Sequence, residues 1–113
     1  EEKTLPFSEA AEGQTGTELL LPLILSWAKR HKIEMHEALK FISTKAATVL
    51  NEKISKVEEG AVANLTVFGA NDSWIVEEQA LLSQGKNSPF LGYEMHGKVH
   101  ATIMNGSLVF LKD

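Results

Sequence analysis

Gly13 and Gly16 stand three residues apart in the polar stretch Ala10-Ala11-Glu12-Gly13-Gln14-Thr15-Gly16-Thr17-Glu18. That stretch runs directly into the apolar Leu19-Leu20-Leu21-Pro22-Leu23-Ile24-Leu25. Glycine has no Cβ, so a backbone turns sharply there and can approach a ligand closely. A helix beginning just beyond presents unpaired N–H groups and the positive end of its dipole. The combination suits an anionic group held by backbone donors. The plain alternative is an ordinary helix start with Thr17 as N-cap, and the spacing alone favours that alternative.

The other chemistry-bearing residues are scattered. The histidines are His31, His36, His96 and His100, and none belongs to a His-x-His or His-Glu-x-x-His pattern. His31 and His36 do not share a helix face well. His96 and His100 share one side of an unbroken strand but stand roughly 13 Å apart at ~3.3 Å per residue. A zinc site needs ligands converging at about 2 Å, so these read as surface or edge histidines. Glu58-Glu59 and Glu77-Glu78 are adjacent pairs whose side chains point apart on a helix or strand, which suits solvated faces and not a catalytic dyad. No serine lies in a Gly-x-Ser-x-Gly context. The absence of cysteine removes disulfides and thiolate zinc sites and fits a cytoplasmic protein.

The elements that must position these residues follow from the periodicity. Residues 1–16 read as a loop. Helical spacing predicts a helix over 17–31, with Leu20, Leu23, Ile24, Trp27 and Ala28 on one face and Trp27 in the core. Pro22 falls where its missing N–H costs little. Lys29, Arg30, His31 and Lys32 suit the negative end of the helix dipole. Further helices are expected over 35–43, with Ala38, Leu39, Phe41 and Ile42 inward, and over 45–50, ending near Asn51 in a left-handed cap. The pattern then changes to period 2, with strands over 64–68, 74–76, 98–104 and 107–111 and a helical turn within 77–84. Trp74 is expected to cover the end of the β part. Asn105-Gly106 is the strongest hairpin signal in the chain.

Three blocks carry a resemblance. Val57-Glu58-Glu59-Gly60-Ala61-Val62-Ala63-Asn64-Leu65-Thr66-Val67-Phe68 resembles the "G-x-x-A-D-L-x-V-F" strand of the amidohydrolase superfamily. Asn87-Ser88-Pro89-Phe90-Leu91-Gly92, with Gly97-Lys98-Val99, Thr102-Ile103 and Asn105-Gly106 behind it, resembles the "N-T-P-F-x-G … G-x-V … T-I-x-x-G" ending of dihydroorotases. The opening loop resembles their "A-P-x-G-x-x-G-x-E-T … L-P-L" segment, and the order and spacing of all three match. The resemblance covers nearly the whole chain but only the C-terminal part of such an enzyme. It implies an α/β architecture in which residues 1–53 are the last loop and helices of a (β/α)8 barrel and residues 54–113 are strands of a composite β-sandwich. A boundary near 51–60 follows.

Dihydroorotases are zinc hydrolases that interconvert carbamoyl-aspartate and dihydroorotate in pyrimidine biosynthesis. The resemblance therefore implies zinc in the intact parent, held by motifs absent here, with none bound by this segment. It implies a "D-H-x-P-H" just before Glu1, and the start at Glu1-Glu2-Lys3 without methionine is expected of a processed or cut piece. It carries over substrate contacts to Ala11 and Gly13, with Ala10 and Glu12 adjacent, and no catalytic or metal residue. The expected partners are a small-molecule substrate, a second copy of the chain in a homo-oligomer and, for a silent homologue, aspartate transcarbamoylase. Several positions depart from the pattern: Ala11 for proline, Lys45-Ala46 for Asn-Pro, Ser55 for glycine and Asn64 for aspartate. Those departures suit a non-catalytic, scaffolding homologue. An allantoinase or hydantoinase is the third possibility.

Length and charge set the remaining bounds. The chain has 113 residues, 43% of them hydrophobic, with a net charge of −4, enough for one small domain or part of a larger one. No basic patch points to nucleic acid. No apolar run nears the roughly 20 residues that span a bilayer, and no signal peptide is visible.

Overall fold

A computed structural model describes residues 5–10, 13–54 and 56–112. Helices come first and strands last. A 3-10 turn, Thr17–Leu19, leads into α1 (Leu20–His31), followed by α2 (Met35–Phe41) and α3 (Thr44–Val49). The strands β1 (Leu65–Ile75), β2 (Glu94–Met104) and β3 (Ser107–Leu111) form an antiparallel sheet in the order β1-β2-β3. A second 3-10 turn, Glu78–Ala80, lies in the long β1–β2 connection. The α/β architecture expected from the sequence is present, as three helices and a three-stranded sheet.

Pro22 sits in the first turn of α1, where no intrahelical partner is missing for its nitrogen. The helix closes on Lys32, whose left-handed backbone (φ 55°) lets its N–H reach the Ala28 and Lys29 carbonyls. Asn51 takes the left-handed geometry expected of it (φ 55°) just beyond α3. No side-chain cap bonds the start of either the Thr17–Leu19 turn or α1. Gly16 and Leu19 hold those cap positions, and Thr17 does not.

The face of α1 differs from the predicted one. Leu19, Pro22 and Ala28 are buried, Leu23 is half-buried, and Leu20 and Trp27 are 53% and 37% exposed. The Cβ that Gly97 lacks would lie 2.6 Å from Leu25 Cδ1 and 3.5 Å from Pro22 Cα, so α1 lies directly on β2 at that glycine. A helix so close turns the small and proline positions inward. Trp27 is left to meet Phe41 edge-on at 5.7 Å and His31 at 5.6 Å. Phe41 is exposed likewise, and Lys45 caps its ring at 3.9 Å in a cation–π contact.

The two predicted strands 64–68 and 74–76 are one bent strand. Gly69 pairs with Lys98 and Ser73 with His96, so three residues of β1 face one of β2, and the ladder is interrupted there. Gly97, at the interruption, has φ +100°. Trp74 Nε1 donates to its carbonyl at 3.3 Å, which pins the bend. The Asn105-Gly106 hairpin forms as predicted, with φ 50° and 78°, the left-handed pair of a type I′ turn. Asn64 Oδ1 accepts the Asn105 N–H at 2.9 Å, and the Ala63 carbonyl accepts the Gly106 N–H at 2.9 Å. An aspartate oxygen would fill the same acceptor position, so the Asn64 departure preserves this clamp.

One core joins helices and strands. Leu19, Val76, Leu81 and Met95 form it, with Leu23, Trp74 and Phe90 packed around them. No helix among the described residues is long and apolar enough to cross a membrane.

Candidate functional site

The opening loop and the Asn87-Ser88-Pro89-Phe90 block meet. Gly13 has φ +74°, the left-handed conformation that glycine adopts without strain, and it turns the chain back towards residues 85–88. Two residues on, the Thr15 N–H donates both to the Asn87 backbone carbonyl at 2.8 Å and to Asn87 Oδ1 at 3.1 Å. Asn87 Nδ2 points at the Gly13 carbonyl from 3.5 Å. Beside this contact Gly85 lies so near Thr15 that a Cβ on it would stand 2.7 Å from the threonine Oγ1.

The second wall is positioned by its own turn. Pro89 follows Ser88, and the Leu91 N–H returns to the Ser88 carbonyl at 3.4 Å, the arrangement that proline favours at the second position of a β-turn. Ser88 Oγ accepts the Phe90 N–H at 3.2 Å. Phe90 then drops onto the core and meets Tyr93 edge-on at 6.0 Å. Val76 and the 92–93 backbone exchange two hydrogen bonds, Gly92 N–H to Val76 O at 2.8 Å and Val76 N–H to Tyr93 O at 2.9 Å. The turn is therefore fixed to a fully buried residue.

Between the walls is an open cleft of about 570 Å³, a size that suits a small molecule. Gly13 and Gln14 line one side; Lys86, Asn87, Ser88 and Pro89 line the other. Glu78 and Leu91 complete it. Among the described residues the cleft's charged groups are Lys86, whose Nζ donates to the Leu81 carbonyl, and Glu78.

The loop is tied down at its far end by Glu18. Its carboxylate accepts the Ser83 N–H at 2.7 Å and the Ser83 hydroxyl at 2.9 Å. Burial pushes the Glu18 pKa up, but these bonds, with those from its own amide and the Leu82 amide, outweigh burial and hold it below the usual glutamate value.

Of the two predicted substrate contacts, Gly13 lies in the cleft. Ala11 falls outside the described residues, as do the adjacent Glu12 and the departure at Ser55. The predicted backbone-donor role narrows, because the Thr15 N–H is already engaged by Asn87. The Gln14 N–H is without a partner among the described residues. The cleft side chains Lys86 and Glu78 and the Asn87 clamp were not foreseen. Asn87 opens the Asn87-Ser88-Pro89-Phe90 block, but nothing in a sequence pairs residue 15 with residue 87.

The histidines stay apart. His100 Nε2 lies 2.7 Å from Asp72 Oδ2 and His36 Nε2 lies 3.1 Å from Glu37 Oε1, both at accessible positions. Among the described residues no three His, Cys, Asp or Glu side chains cluster as metal ligands. The described residues therefore do not themselves fit a zinc ion.

The chain is 36% identical over 111 residues to a dihydroorotase of Clostridioides difficile, covering 97% of this chain. It is 33% identical over 112 residues to a dihydroorotase of Syntrophus aciditrophicus, covering 99% of it, and 33% identical over all 113 residues to one of Geotalea daltonii. Along its whole length this chain is dihydroorotase-like. It spans 26%, 26% and 27% of the lengths of those three relatives, which agrees with a resemblance to one portion of a longer enzyme. No family model matches the chain. Gly13 and Gln14 of the opening block and Asn87, Ser88, Pro89 and Leu91 of the later one line the cleft together.

Proposed function

We propose that this chain is the C-terminal portion of a dihydroorotase-type cyclic-amide hydrolase, which interconverts carbamoyl-aspartate and dihydroorotate in the cytoplasm. The observation that carries the proposal is the meeting of the Gly13 loop with Asn87-Ser88-Pro89, because it joins two separately dihydroorotase-like blocks around one cleft. Residues 1–53 then complete a (β/α)8 barrel, and residues 54–113 contribute strands to a β-sandwich beside it. In this reading Gly13 and Ala11 approach the substrate through their backbone. The Gln14 N–H faces a carboxylate or ring carbonyl, and Pro89 and Leu91 exclude water from that side of the ligand. Zinc, held by residues of the parent outside this chain, would supply the Lewis-acid chemistry.

A second reading has a specific observation in its favour. Ala11 replaces a family proline and Lys45-Ala46 a family Asn-Pro, and losing proline disfavours the ordered form through unfolded-state entropy. That suits a catalytically silent homologue that scaffolds aspartate transcarbamoylase.

Turnover by the intact parent separates the readings. Hydrolysis of dihydroorotate in preference to allantoin and hydantoin is expected. Preference for either of those would assign the protein to the allantoinase or hydantoinase class. No turnover of any of the three, together with co-purification with aspartate transcarbamoylase, would establish the scaffold instead.

A further inference from the structure

We infer that Asn87 is the positioning residue of the substrate loop: its carboxamide sets the shape of the Gly13 turn without itself meeting the reacting atoms. The inference rests on the substrate-loop reading above and goes beyond it by assigning a role to a residue outside the loop.

The geometry is that of a two-sided clamp. The Thr15 N–H is shared between the Asn87 carbonyl at 2.8 Å and Oδ1 at 3.1 Å, while Nδ2 faces the Gly13 carbonyl at 3.5 Å. One side chain thus offers an acceptor to one end of the turn and a donor to the other, on the two separate atoms that a carboxamide provides. The Oδ1 and Nδ2 assignments follow from these partners, since a flipped amide would face N–H with NH₂ and carbonyl with oxygen. Asn87 itself is held by the rigid turn at 88–91, whose Phe90 is anchored in the core. The clamp therefore connects the backbone at Gly13 and Thr15 to a turn whose Phe90 packs on the core. Ordering the loop before the ligand arrives lowers the entropy cost of binding.

Asn87→Ala in the intact protein tests this. Loss of a positioning contact should raise the KM for dihydroorotate about five- to tenfold while kcat stays within about twofold, the pattern of lost uniform binding. Backbone amides at 13–16 should exchange with deuterium about tenfold faster, while α1 is unchanged. Combined with Gly13→Ala, the KM should rise no further than in the worse single variant, because both changes act on one turn. Asn87→Asp keeps the acceptor for Thr15 but sets a carboxylate oxygen against the Gly13 carbonyl, and should retain only part of the exchange protection. A fall in kcat and melting temperature with unchanged KM would make Asn87 merely structural, and multiplying KM effects in the double variant would separate it from the loop. Unchanged exchange at 13–16 would overturn the clamp itself. If the parent turns over no dihydroorotate, the functional reading fails on its own, and the exchange measurement still decides whether Asn87 orders the loop.

Discussion

Gly13 carries two separable demands, and one substitution pair tells them apart. Its φ of +74° penalises any residue with a Cβ, by about 1–2 kcal/mol for most and less for asparagine, which tolerates the left-handed region. Its open surroundings leave room for a side chain in the unliganded loop. If a ligand approaches the backbone here, Gly13→Asn should keep the melting temperature within about 2 °C, yet raise the KM as much as Gly13→Ala does. If only the backbone angle matters, Gly13→Asn should behave as wild type in both measurements. The sequence made this residue legible because two spaced glycines before an apolar helix are a local signal. Asn87, Lys86 and Glu78 were not legible as site residues, because what places them opposite Gly13 is contact across roughly 65 to 75 residues of chain, 72 and 74 for the two Asn87 side-chain bonds, and no local periodicity encodes that separation.

At the level of the elements, spacing located every helix and both arms of the hairpin, but not the way α1 lies on the sheet. Helical periodicity ranks positions by side-chain hydrophobicity, so it chose Leu20 and Trp27. The packing is instead set by the closeness that Gly97 permits, with Pro22 and Leu25 against its Cα. For the same reason the bend in β1 was invisible: an irregularity of pairing belongs to two strands at once. Gly97→Ala should be costly chiefly because its φ is +100°, which any residue with a Cβ resists. The new methyl would stand 2.6 Å from Leu25 Cδ1, a leucine end that can swing aside, and at ordinary contact distance, 3.5 Å, from Pro22 Cα. A loss of about 2–3 kcal/mol in urea unfolding is expected, against ~1 kcal/mol for an ordinary glycine in a strand. The Glu18–Ser83 tie between the helix start and the β1–β2 connection should show in pH dependence. Because its folded pKa is lowered, its contribution is present above the unfolded glutamate pKa and is lost as pH falls through the folded value. Glu18→Gln should therefore cost about 1 kcal/mol at pH 7 and almost nothing near pH 2, measured by urea melts at both.

The whole molecule is less closed than its length allows. Its radius of gyration is 16.2 Å, where about 13 Å is usual for a compact domain of this size. Its fully buried apolar side chains are few, and Trp27, Phe41, Val49 and Leu50 stand 37%, 48%, 85% and 72% exposed along the helical layer. Apolar surface of that extent is ordinarily covered, by further chain or by another subunit. The chain studied alone should then associate: its sedimentation coefficient should rise with concentration across the micromolar range, and the intrinsic emission of Trp27 should shift to the blue as it does. Replacing Trp27 and Phe41 with serine should suppress that rise without lowering the cooperativity of unfolding, because neither side chain belongs to the Leu19, Val76, Leu81 and Met95 core. A concentration-independent monomer with a sharp thermal transition would mean that the helical layer is self-sufficient. In the intact parent the same two replacements should lower stability markedly if the rest of a barrel packs on them, and leave it unchanged if they face water there too.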